Sequence, residues 1–185
     1  MSRYQNMARA AIFAALLAIL SQIAIPTPGA VPVTLQIFAV ALSGRCLGPL
    51  YGAVSTLVYL LLGAVGVPVF SGFSGGISAL FSYTGGFLLS FPVLAAFSGL
   101  RTRRAKKAGG ILLTLAGLSV CHLVGVAWYS VVSKLSFAQA FVVSSLQYLG
   151  KDALLVLGAL WLAEKLKRRG IASRAAGTSF DGKDM

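Results

Sequence analysis

From Phe137 to Ala163 the chain is almost wholly apolar and long enough to cross a bilayer as a helix, yet Lys151 and Asp152 stand at its middle. Asp152 is one of only four carboxylates in the chain. Each charge at the centre of a spanning helix costs roughly 2.5–3.5 kcal/mol on an insertion scale. A helix carrying two of them must turn them toward protein or a cavity and away from lipid. At about 100° per residue, Ser144, Gln147, Tyr148, Lys151 and Asp152 share an arc of roughly 140°. The helix therefore reads as one polar stripe on an otherwise greasy cylinder, with the stripe facing inward.

The rest of the chain is built to the same plan. Hydrophobic residues make up 57% and charged residues 11%, whereas a soluble domain carries about 25% charged residues. The chain reads as an all-α integral membrane protein in a single domain over residues 1–166. Six spans are expected, at about 8–25, 33–47, 50–67, 85–100, 110–132 and 137–163. Residues 167–185 read as a basic, disordered tail. The net charge of +12 does not point to nucleic acid, because the basic residues sit in short blocks between apolar runs. Cys46 and Cys121 form no CxxC and read as reduced packing residues.

Several stretches carry more than hydropathy. In the first span Ala10, Ala14 and Ala18 recur every four residues, a small-residue face that lets another helix approach closely. Pro26, Pro28 and Pro32 with Gly29 then break the chain. The second span is short and opens on Thr34 and Gln36. Residues 69–86 hold Phe70, Phe73, Gly75, Gly76 and Tyr83 with no charge. A solvated loop would be polar, and a lipid-exposed one would strand its backbone groups. It reads as backbone folded over a cavity, with aromatic rings walling an apolar ligand.

Charge asymmetry orients the bundle. With six spans and the N-terminus inside, the inner face collects fourteen of the sixteen basic residues, leaving Lys134 outside and Lys151 within the membrane. Both termini are then cytoplasmic, and the proline-rich and Gly/Phe loops share the outer face. Three features converge there: Thr34 and Gln36, the Gly/Phe loop, and the Gln147–Lys151–Asp152 stripe. They fit a ligand with an apolar body, a carboxylate for Lys151, and amide-like donors for Asp152 and Gln147. Neighbours on a helix point about 100° apart, which argues against a simple mutual ion pair of Lys151 and Asp152.

Catalysis finds no support. There is no GxxxxGK[ST] loop or HExxH. One histidine and four acids leave little for a metal site. Any ATP-driven transport would draw its ATPase from another subunit, and no cofactor is expected. His122 reads chiefly as a packing or hydrogen-bonding residue.

Val31-Pro32-Val33-Thr34-Leu35-Gln36, Gly48-Pro49-Leu50-Tyr51-Gly52-Ala53 and the run Tyr59 to Phe70 resemble the BioY family, as do Gly75-Gly76 and Tyr83 to Phe91. These are the biotin-capture subunits (S components) of energy-coupling-factor (ECF) transporters. The resemblance covers about residues 8–165. It implies a six-helix bundle in the bacterial or archaeal cytoplasmic membrane that binds biotin near the outer surface. It also implies a transmembrane coupling subunit and two ABC-type ATPases as partners, with Ala10, Ala14 and Ala18 at the positions that meet the coupling subunit.

In one respect the chain departs from the family. Many members place a lysine three residues after the last-helix acid, in a Pro-Gly-Asp context; here Lys151 directly precedes Asp152, and Leu155 holds the later position. The resemblance leads us to expect Asp152 to accept from the ureido N–H groups of biotin and Lys151 to meet a biotin oxygen. The competing expectation is a proton-coupled secondary carrier for a small carboxylated metabolite, with Asp152 and His122 as its relay.

Overall fold

The computed structural model describes residues 3–25, 31–100 and 107–168. The basic run 101–106, the tail from 169 onward and most of the proline-rich turn lie outside the described residues, so the expectation of a disordered tail is not addressed by it. The described chain is all-helical apart from one small hairpin. Its helices are α1 (Arg3–Ser21), α2 (Gln36–Leu47), α3 (Pro49–Ala64), the short α4 (Ile77–Leu80), α5 (Gly85–Gly99) and α6 (Lys107–Ser133). The last segment starts as α7 (Phe137–Phe141), passes through a π-turn (Val142–Leu146) and continues as α8 (Gln147–Arg168).

Three of these segments are long and apolar enough to cross a membrane: α1, α6 and the continuous run Phe137–Arg168. Helices α2, α3 and α5 are shorter. At 1.5 Å per residue the twelve residues of α2 reach about 18 Å, well short of a hydrocarbon core of about 30 Å. Its position explains how it survives. α2 packs against α1, α3, α5 and α8, and eight of its residues are buried. A helix apolar on every side belongs inside a bundle.

Close approach in this centre depends on small residues. A Cβ at Gly44 would collide with the backbone carbonyl of Ala95 on α5, and one at Gly52 on α3 would meet the Gly44 backbone. Three helices thus touch nearly backbone to backbone, which shields the short α2.

Two connections carry hydrogen-bonded structure in their described residues. The ends of the proline-rich turn pair as antiparallel strands β1 (Ala24–Ile25) and β2 (Val33–Thr34), with Ala24 opposite Thr34. In the Gly/Phe segment a 3-10 turn (Ser71–Phe73) precedes α4. The Gly76 N–H donates to Gly63 O (2.7 Å) and the Phe70 N–H to Ser74 O (3.0 Å). That segment is folded back on the end of α3 with its backbone groups paired, which an apolar environment requires.

Candidate functional site

The hairpin, the 70–84 segment, α5, α6 and α8 enclose a cavity of about 250 Å³. One wall is apolar: Ile37 of α2, Phe70, and Phe87, Leu88 and Phe91 of α5. Phe70 is set by its surroundings. Its ring lies over Gly63, where any side chain would occupy the same space, and it meets the Tyr59 ring edge-on at 5.4 Å.

Two polar clusters face this wall. The first is neutral and comes from the start of α2. Thr34 Oγ1 donates to Gln36 Oε1 (3.1 Å), and Gln36 Nε2 donates to the hydroxyl of the fully buried Tyr59 (2.8 Å). The Gln36 amide is therefore held at both ends.

The second cluster is charged and comes from the last helix. Lys151 Nζ lies 2.7 Å from Asp152 Oδ1, within 3.5 Å of the Thr34 carbonyl and 5.7 Å from the centre of the Tyr148 ring. His122 Nε2 of α6 lies 3.3 Å from Asp152 Oδ2, and His122 Nδ1 lies 2.6 Å from Ser145 Oγ in the π-turn. Asp152 and His122 are buried, whereas the Lys151 side chain is 28% exposed. Both Asp152 Oδ1 and His122 Nε2 are buried without an aligned hydrogen bond. Their contacts meet the distance for an ion pair but not the direction for a hydrogen bond. Such atoms are the ones a ligand can still satisfy.

This geometry revises several expectations. Lys151 and Asp152 do pair with each other, because a four-carbon stem lets the ammonium reach across the angle between helical neighbours. Among the expected ligand residues, Thr34, Gln36, Phe70, Tyr83, Lys151 and Asp152 line the cavity. Phe73 does not, being 72% exposed. Gly75 and Gly76 are also absent from the lining and serve the loop: a Cβ at Gly75 would strike Val67 O, and Gly76 sits at φ 90°. Gln147 is exposed and donates to Val143 O one turn back. Gln147 is one end of the arc of about 140°: Ser144, Tyr148, Lys151 and Asp152 face the cavity, and the residue at this edge falls outside it.

The first helix also differs from expectation. Ala10 and Ala14 are buried in the chain's own interior, and Ala18 packs against the core. Ala10 and Ala14 thus offer no free face to another protein. The alanines left open on α1 are Ala8, Ala11 and Ala15, the last two beside exposed Ile12 and Ile19.

Sequence reasoning passed over Ser21 and Gln22. Gln22 Nε2 donates to the carbonyls of Val69 (3.2 Å) and Phe70 (3.1 Å), its Oε1 accepts from the Phe73 N–H (2.9 Å), and Ser21 Oγ donates to Val69 O (2.6 Å). These two residues tie α1 to the loop that carries Phe70. The available signal was a polar pair ending an apolar helix. Ser145 was missed as well, since its role depends on a histidine 23 residues away in sequence.

A model of the BioY family matches residues 1–171. The chain belongs to the BioY family. Among its relatives, the probable biotin transporter BioY of Pyrococcus horikoshii is 38% identical over 157 residues, which is 85% of this chain and 93% of that protein. The biotin transporter BioY of Thermotoga maritima is 40% identical over 123 residues, 66% of this chain and 72% of that protein. A crystal structure of the S-component for biotin from an ECF-type ABC transporter superposes with a TM-score of 0.83 at 24% identity, covering 95% of this chain and 98% of that one. At that identity the likeness establishes a shared all-helical fold. In the BioY frame the cavity lies where α2, α5, α6 and α8 meet.

Proposed function

We propose that this BioY protein captures biotin in the cavity and carries it across the cytoplasmic membrane as the S component of an ECF transporter. The observation that carries this reading is the Lys151–Asp152 pair, set at the polar end of an aromatic-walled cavity in a BioY chain. Biotin has an apolar ring system, a ureido group that donates two N–H bonds, and a carboxylate tail. Asp152 Oδ1 supplies an acceptor for the ureido N–H groups, Lys151 meets a biotin oxygen, and Phe70, Phe87 and Phe91 pack the rings. The names of the relatives support the same ligand.

Six spans with both termini cytoplasmic agree with the charge asymmetry and place the cavity toward the outer face. Helices α2, α3 and α5 complete the bundle as short members, with the hairpin and the 70–84 segment capping its outer end. A transmembrane coupling subunit and two ABC-type ATPases supply the energy, and the coupling subunit docks on the open Ala11–Ala15 row of α1 rather than on Ala10 and Ala14.

Equilibrium biotin binding to the purified, detergent-solubilised chain tests this reading, beside Lys151→Ala and Asp152→Ala. Binding tighter than micromolar with a loss in both variants is expected. Weaker binding, or no loss in either variant, removes the proposal. The His122–Asp152 contact favours one other reading, a proton-coupled carrier. Uptake measured with and without ATPase partners, while the proton gradient is collapsed, separates the two, because only a carrier depends on the gradient alone.

A further inference from the structure

Asp152 is approached by two side chains, Lys151 of its own helix and His122 of α6, and only Lys151 is a fixed cation. Lys151 takes Oδ1, and His122 faces Oδ2 from α6. Behind His122 stands Ser145 of the π-turn. A carboxylate can only accept, so the ring nitrogen that faces it, Nε2, is the one that carries hydrogen. Nδ1 is then the acceptor of a hydrogen bond that the Ser145 hydroxyl donates. Phe87 meets the imidazole edge-on at 5.8 Å and closes its remaining side. The ring is thereby fixed in tautomer, in direction and in plane, inside the wall of the cavity.

We propose that His122 is a positioning residue for Asp152: oriented by Ser145, it engages Oδ2 and so reserves Oδ1 for Lys151 and the ligand. Ser145 and Asp152 are seven residues apart, about two helical turns, so the last segment presents both to the same ring. The 3.3 Å separation of Nε2 and Oδ2 lacks hydrogen-bond alignment in the ligand-free cavity. A ligand N–H that draws Oδ1 forward would turn the carboxylate onto the ring. A partner of this kind sets the direction of a binding carboxylate by engaging the oxygen that the ligand does not use.

The inference rests on the biotin reading for its ligand but not for its test. His122 is the only histidine in the chain, so a histidine-labelled sample gives one set of ring ¹⁵N signals. At a pH where the ring is neutral, purified protein should show the Nε2–H tautomer, and Ser145→Ala should shift the ring toward a mixture of tautomers. A predominant Nδ1–H form, or a ring indifferent to Ser145→Ala, overturns the proposal whether or not biotin binds. In the binding arm, His122→Leu should weaken biotin about tenfold to a hundredfold, the range for a hydrogen bond to a charged group. His122→Gln, whose amide N–H reaches toward the same oxygen, should recover most of that loss. A Leu variant that binds like the parent, or a Gln variant no better than Leu at equal thermal stability, also overturns it. Absence of biotin binding in the parent protein removes the functional reading instead and leaves the tautomer measurement to decide this one.

Discussion

The cavity has two polar clusters, and they differ in how completely they are satisfied. The Thr34–Gln36–Tyr59 cluster is neutral and hydrogen-bonded from end to end. The Lys151–Asp152–His122 cluster is charged, and two of its buried atoms lack an aligned partner. A satisfied buried network rigidifies its neighbourhood and has little left to offer a ligand. An incompletely satisfied one stays costly until something completes it. On the proposed reading, the first cluster shapes the site and the second binds the ligand.

Substitutions can break that division or sharpen it. The largest effect is expected at the charged end. Asp152→Ala should cost about a hundredfold or more in biotin affinity by equilibrium binding, because it removes the acceptor and strands the Lys151 ammonium. Lys151→Ala should cost less, about tenfold, since Lys151 is partly exposed while Asp152 keeps His122. Equal losses in the two would mean that the pair acts as one unit. Tyr59→Phe probes the neutral cluster. It leaves Gln36 Nε2 without its acceptor and should lower stability by about 1–3 kcal/mol in thermal unfolding, with biotin affinity changed less than about threefold. A large affinity loss there would overturn the division between shaping and binding.

Two smaller tests follow at the rim. Gln22→Ala releases the Phe70 segment from α1 and should speed biotin dissociation several-fold in a chase experiment, for under about 1 kcal/mol of stability. Gln147→Ala should leave affinity within about twofold, as for other exposed positions. A clear loss at Gln147 would restore it to the binding stripe.

Much of this molecule was legible in its sequence. The apolar runs, the basic blocks and the improbable Lys151–Asp152 pair pointed to a membrane bundle with a buried binding group, and the motifs from Val31 to Phe91 resembled the family the chain belongs to. Less legible was the face each residue presents. Gln147 and the Ala10–Ala14 row were assigned by counting along ideal helices. The first sits at the edge of its arc and falls outside the cavity, and packing of α1 on α2 and α3 consumed the second. The loop glycines looked like part of a ligand wall, yet they serve tight backbone contacts at Val67 and Gly63.

By itself, the sequence determined the solvent this chain folds in and the residues that cannot face it. Transfer energies are local and sum along each segment, so hydropathy and charge placement need no neighbours to be read. Only the tertiary structure decided that His122 and Ser145 stand behind Asp152, that Gln22 ties down the Phe70 segment, and that the short α2 lies at the centre. Those contacts join residues tens of positions apart. They follow from how helices pack, which no local period encodes.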